Sequence, residues 1–150
     1  MDFIQHNPYR IVGILSNATT KELEKQKGKI RAFARVGREI ESDFDFRILE
    51  GIDRSEEIVN QSFSSIEQNQ DKVDYALFWF LNASPFDNTA IEYLKNGDEE
   101  KATEIWEKVT ANKEVNSKNF SAFNNLGTLN LLSQSKSDIK SGIETKIKLI

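Results

Sequence analysis

The chain has 150 residues, enough for one ordinary domain or two very small ones, with 38% hydrophobic and 29% charged residues. Ten Phe and two Trp exclude a disordered segment, two Pro and seven Gly argue against a turn-dense β fold, and the absence of Cys excludes disulfides, thiolate nucleophiles and cysteine metal sites. The net charge of −4 is uneven: residues 20–38 hold seven basic and two acidic side chains, a local +5 that leaves −9 for the rest, which suits a local docking face rather than wholesale nucleic-acid binding.

The first six residues, Met1 to His6, contain no basic stretch, and the apolar run Ile11 to Leu15 is far too short for a signal peptide or a membrane span. A cytoplasmic protein without membrane partners is the expectation. Asn7 as N-cap and Pro8 at the first helical position open a short helix to about Ile14. Thr19 with Glu22 has the capping-box spacing and opens a second helix to about Val36. Leu23, Ile30, Phe33 and Ala34 fall on one face of it, and Lys21, Lys25 and Arg35 fall opposite.

Residues 37–51 form a long connection in which Asp43-Phe44-Asp45-Phe46 alternates acids with aromatics, and the two Phe are expected to anchor it on the core. Asp53 with Glu56 reads as a second capping box, opening a helix through Ile66 with Val59, Phe63 and Ile66 at helical spacing. Asn69-Gln70-Asp71 is expected to break it, and the apolar run 73–81 to form one buried helix. Ser84-Pro85 marks a boundary. Beyond it the pattern predicts two helix pairs, 88–95 with 99–110 and 120–133 with 138–150.

Asn7-Pro8-Tyr9, then Val12-Gly13 before Ser16-Asn17-Ala18-Thr19, a basic second helix, and a third helix followed by Asp71-Lys72-Val73-Asp74-Tyr75 resemble, in order and spacing, the J-domain of DnaJ-type co-chaperones over residues 6–80. The resemblance implies a helical fold and a DnaK-type chaperone as partner. The family's His-Pro-Asp tripeptide is absent: Val36-Gly37-Arg38-Glu39-Ile40 stands in its place, so stimulation of the chaperone's ATPase is not carried over. The second half resembles tetratricopeptide (TPR) repeats. Ala90, Tyr93, Gly97, Ala102, Trp106 and Val109 match one repeat, and Phe123, Leu126, Gly127 and Asn130 the first helix of another.

These readings predict an all-α protein: a degenerate J-domain-like unit at 1–82 packed on a TPR-like unit at 86–150. Tyr75, Phe78, Trp79 and Trp106 form the expected seam, with Phe86 and Tyr93 nearby. Lys21, Lys25 and Arg35 are the candidate partner-binding residues, and Asn124, Asn125 and Lys101 the candidate lining of a concave, peptide-binding TPR face. The single His6 has no acid–base partner in sequence, and isolated Gly28 and Gly37 make no phosphate loop. No catalytic residue, metal site or cofactor is expected. The apolar final residues Ile147 to Ile150 suggest the N-terminal part of a longer bacterial protein. The expected function is a non-catalytic, co-chaperone-like interaction module for a DnaK-type chaperone or a peptide segment. The alternative is a purely structural cap of a longer helical-repeat scaffold.

Overall fold

A computed structural model describes all 150 residues. The protein is all-α, with nine helices and no strand. The single turn α1 (Asp2–Gln5) leads into α2 (Pro8–Val12), where the Asn7 side chain accepts from the Tyr9 N–H at 3.0 Å and Pro8 supplies the pre-set first position. Gly13 ends α2 in the left-handed conformation at φ 82. A Cβ there would also lie 2.8 Å from Nε2 of Gln26, so glycine is what allows α3 to approach this turn.

α3 (Thr20–Arg35) begins with both bonds of the Thr19–Glu22 capping box. It buries no side chain fully; Leu23 and Ile30 are its partly buried contacts with the core. Gln26 ties it down by donating to the Val12 carbonyl at 2.9 Å.

Residues 37–55 carry no helix and are held by two buried arginines. Arg54 donates to the carbonyls of Arg10 and Ile11 and grips both oxygens of Asp45 at 2.7 Å each. Arg10 donates to Gln5 and to the Glu50 carbonyl. A long loop near the core needs such partners for its backbone polar groups. Phe46 is 2% exposed and joins the core, with Phe44 packed against it.

α4 (Glu56–Ser65) starts differently from the expected capping box. Asp53 accepts from the Ser55 N–H at 2.8 Å, closing a tight local turn, and the N-cap Ser55 makes no side-chain cap bond. Asp53 thus lies two residues before the N-cap, and Glu56 is the first helical residue rather than the third, so the two form no reciprocal pair. Val59 and Ile66 are buried and Phe63 lies at the core edge.

The predicted helix over 73–81 is also corrected. The break falls at 66–68, Asn69-Gln70-Asp71 is the first turn of α5 (Asn69–Ala76), and the chain leaves the helix at Leu77. The next residues can do so because side-chain amides take up their carbonyls. Asn7 donates to Tyr75 and Phe78, Asn124 to Ala76 and Trp79, and Asn125 to Leu81. These bonds replace the helical ladder that the apolar run would otherwise complete.

The remaining chain makes two helix hairpins, α6 (Pro85–Lys95) with α7 (Glu99–Thr110) and α8 (Phe120–Leu131) with α9 (Lys136–Leu149). Ser84, Asp98 and Ser135 cap α6, α7 and α9 through their side chains. Along α9, a Cβ at Gly142 would lie 3.0 Å from the Gly127 carbonyl of α8, so the two helices meet at near-backbone contact. One cluster of 19 buried residues runs from Ile4 to Leu131 and continues across Ser84–Pro85.

Candidate functional site: the basic helix and the buried seam

Lys21, Lys25 and Arg35 are all exposed. At 100° per residue they lie in one stripe along α3, spanning about 20 Å at 1.5 Å rise per residue. None of them joins the four ion pairs of the molecule, which are Arg10–Asp45, Arg54–Asp45, Lys27–Glu24 and Lys95–Glu92. Their neighbours are used internally: Lys27 lies over the Phe63 ring at 5.3 Å, and Lys29 and Arg38 over Phe33. The stripe therefore presents cations that the fold itself leaves free.

The four seam residues separate into two places. Trp79 and Trp106 are both fully buried and are joined by Phe80, which meets Trp79 edge-on at 5.3 Å and stacks on Trp106 at 6.1 Å. Both indole N–H groups are satisfied, Trp79 by the Ile14 carbonyl and Trp106 by Asp87, each at 2.9 Å. Tyr75 and Phe78 are only partly buried; Phe78 packs edge-on against Phe3 at 4.8 Å, away from the tryptophans. Phe80, the last residue of the aromatic stretch 75–80, is thus the bridge between the tryptophans, while Phe78 meets the second half through Lys146, whose Nζ lies 5.6 Å from its ring centre. Tyr93 packs against the core, whereas Phe86 is 57% exposed and does not contribute to it.

Asn124 and Asn125 do not line a surface. They are 1% and 0% exposed, and their amides clamp the 76–81 segment onto α8. Asn125 also accepts from the Leu81 N–H and donates to Asp87 at 3.1 Å. Asp87 is fully buried and holds the Trp106 and Asn125 donors on one oxygen and the Ala83 N–H on the other. A partnered amide inside an apolar core fixes register, and that occupation removes both Asn from any concave face. Lys101 is exposed, with its ammonium over the Tyr93 ring at 5.2 Å.

Lys146 completes this network and was not anticipated. It is 4% exposed on α9, yet it joins no ion pair. Its Nζ donates to the Asn124 carbonyl, to Asn124 Oδ1 and to Thr128 Oγ1, at 2.9, 2.8 and 2.9 Å, and lies 5.6 Å from the centre of the Phe78 ring. Burial among neutral groups pushes its ammonium down to about 7. At Asp45 burial pushes the carboxyl up, but the bonds and charge of Arg54, with Ser42 and Arg10, outweigh it and hold the group below the usual range. The available sequence signals were a polar Asn124-Asn125 pair inside an apolar helix and a lysine on the stripe that carries Ile139 and Gly142. Arg10 and Arg54 carried none: besides their nearer partners Gln5 and Asp45, they reach the Glu50 and Ile11 carbonyls, 40 and 43 residues away, which no local pattern marks.

No group of three or more His, Asp or Glu side chains is arranged to hold a metal ion. No helix is long and apolar enough to cross a membrane. No protein-family model matches the chain, and no curated protein and no solved structure shows significant similarity to it.

Proposed function

We propose that the protein is a non-catalytic interaction module whose α3 stripe docks on an acidic surface of a partner protein. The observation that carries this is the free, exposed set Lys21, Lys25 and Arg35 on a sixteen-residue helix that buries none of its side chains, in a chain that is otherwise acidic. Like-charged residues that the fold does not use steer an oppositely charged partner and set its orientation. The J-domain resemblance supports the same helix as the docking element and makes a DnaK-type chaperone the first partner to try. With Val36-Gly37-Arg38 where the family has its tripeptide, binding would occur without stimulation of ATP hydrolysis.

The test is a titration of a purified DnaK-type chaperone with the wild-type protein and with K21E/K25E/R35E. The expected results are saturable binding that weakens with salt, a loss of about ten-fold or more in the triple variant, and no change in ATPase rate. Strong stimulation of hydrolysis, or binding indifferent to the three reversals, contradicts the proposal.

A second reading has its own observation. Ile143 and Ile147 are 47% and 66% exposed on one side of α9, and Ile150 just beyond it is 87% exposed, the kind of apolar face that a further helix covers in a stacked helical array. On that reading the protein is a structural cap, the α6–α9 hairpins are TPR-like scaffold, and the α3 charges are a solvated surface.

A further inference from the structure

Few ties hold α3 to the rest of the protein. One hydrogen bond joins it to another helix, from Gln26 to the Val12 carbonyl at 2.9 Å, and its one ion pair, Lys27–Glu24, lies within it. Lys27 over the Phe63 ring and the partly buried Leu23 and Ile30 complete the attachment. Phe33 shares the inner face with Leu23 and Ile30 but does not join the core; Lys29 and Arg38 cover its ring instead.

Open clefts run along both flanks of the helix. One of about 790 Å³ is bordered by Lys25 and Lys29 of α3 and by Asn88 and Glu92 of α6. At 100° per residue, Lys27 and Arg31 point to the opposite flank. There a cleft of about 260 Å³ is bordered by these two and by Asn60 and Ser64 of α4, and another of about 190 Å³ continues past Ala34 to Ser55.

The chain on either side of α3 is pinned. Asn17 and Asn82 exchange two hydrogen bonds, at 2.8 and 3.2 Å. Ile40 is buried, and its carbonyl accepts from Arg54. Residues 18–19 and 36–39 therefore connect a weakly seated helix to two fixed points. Elements with few buried contacts are the ones that open while the rest of a fold persists.

We propose that α3 is a releasable strap: it leaves the body as one unit while the other helices stay folded, and the partner takes up the released helix on its apolar face, Leu23, Ile30 and Phe33, as well as on its basic stripe. The uptake rests on the reading of α3 as the docking element. An apolar groove with an acidic rim is the partner surface that fits such a helix.

The test is native-state hydrogen exchange on the full chain, paired with chaperone binding. Release registers as exchange because a helix of this length with a glycine inside it is not stable alone in water. The amides of residues 24–35 are expected to share one opening, about 100-fold or more faster than those of α8. Trp106→Phe strips a donor from Asp87 in the body. It should speed exchange in α8 about ten-fold and leave α3 unchanged within about two-fold. Gln26→Ala should speed exchange in α3 about five-fold. Exchange in α3 that follows α8 in Trp106→Phe, or that ignores Gln26→Ala, overturns release as a unit. Phe33→Ser removes an apolar side chain that the core does not use, so it should leave exchange in α3 within about two-fold and weaken binding of a purified DnaK-type chaperone about ten-fold. If K21E/K25E/R35E weakens that binding and Phe33→Ser does not, the docking reading stands and uptake of the released helix falls. If neither variant weakens it, the docking reading falls and uptake with it, and release stands or falls on the exchange rates alone.

Discussion

α3 and α9 both carry lysines at helical spacing, and the fold treats them in opposite ways. Lys21 and Lys25 of α3 are exposed and unpaired, whereas Lys146 of α9 is buried against three oxygen acceptors. The residue type is the same; the facing surface differs. α8 opposes α9 with Asn124 and Thr128 at a crossing tight enough to require glycine, so an ammonium there is desolvated and must be satisfied internally. α3 has no such neighbour; its ties are the partial contacts of Leu23 and Ile30, the bond from Gln26 and Lys27 over the Phe63 ring. Exposed charges contribute little to folding, typically below about 1 kcal/mol, and are therefore free to be used by a partner. Buried polar groups are committed to the fold, because each one left unpaired costs about 1–3 kcal/mol.

The largest test of this division lies in the seam. Trp79→Ala or Trp106→Ala should each lower unfolding stability by about 3–5 kcal/mol in a denaturant titration, by opening a cavity beside Phe80. Trp106→Ala also strips a donor from buried Asp87. Asn124→Leu comes next, at about 2–3 kcal/mol, because it frees the Trp79 carbonyl, takes one of two donors from the Ala76 carbonyl and removes an acceptor from Lys146. A loss below about 0.5 kcal/mol at Asn124 would break the claim that the amides, not the apolar run, set where α5 ends.

Lys146 gives the comparison a pH signature. Its folded value, near 7, lies below the ordinary 10.5, so between those limits the unfolded chain binds more protons than the folded one. Stability contributed by this group therefore rises as pH increases from about 7 toward 10.5, and the penalty of burying the charge is fully present below 7. Denaturant midpoints measured across that range should climb in the wild type, and the contribution of this group should vanish in Lys146→Met. An identical pH slope in both proteins would show that Lys146 stays charged in place, with its three acceptors and the Phe78 ring compensating for burial. The smallest effect belongs to α3: Lys21→Ala, Lys25→Ala and Arg35→Ala together should move stability by no more than about 0.5 kcal/mol.

The sequence was most legible where structure is decided locally. Asn7 before Pro8 and Thr19 with Glu22 cap the helices they precede, because a side chain and an N–H two or three residues on suffice for the bond; Ser84-Pro85, read as a boundary with a helix from 88, is the same kind of cap and starts α6 at Pro85. Helicity from α2 onward was legible from caps and periodicity, whereas the single turn α1 was not. What the periodicity of 73–81 concealed was competition from distant amides: Asn7, Asn124 and Asn125 lie 44 or more residues away from the carbonyls they take. Asp53 misled for a local reason, since a turn two residues on captured its carboxylate. The exposed stripe on α3 was visible as a charge pattern.

The most direct test of the division between free and committed charge is one pair of measurements on K21E/K25E/R35E: its affinity for a DnaK-type chaperone and its denaturant midpoint, both beside wild type. Affinity is expected to fall about ten-fold or more with the midpoint essentially unchanged. An unchanged affinity, or a midpoint that falls with it, would contradict the claim that α3 holds its cations for a partner and not for the fold.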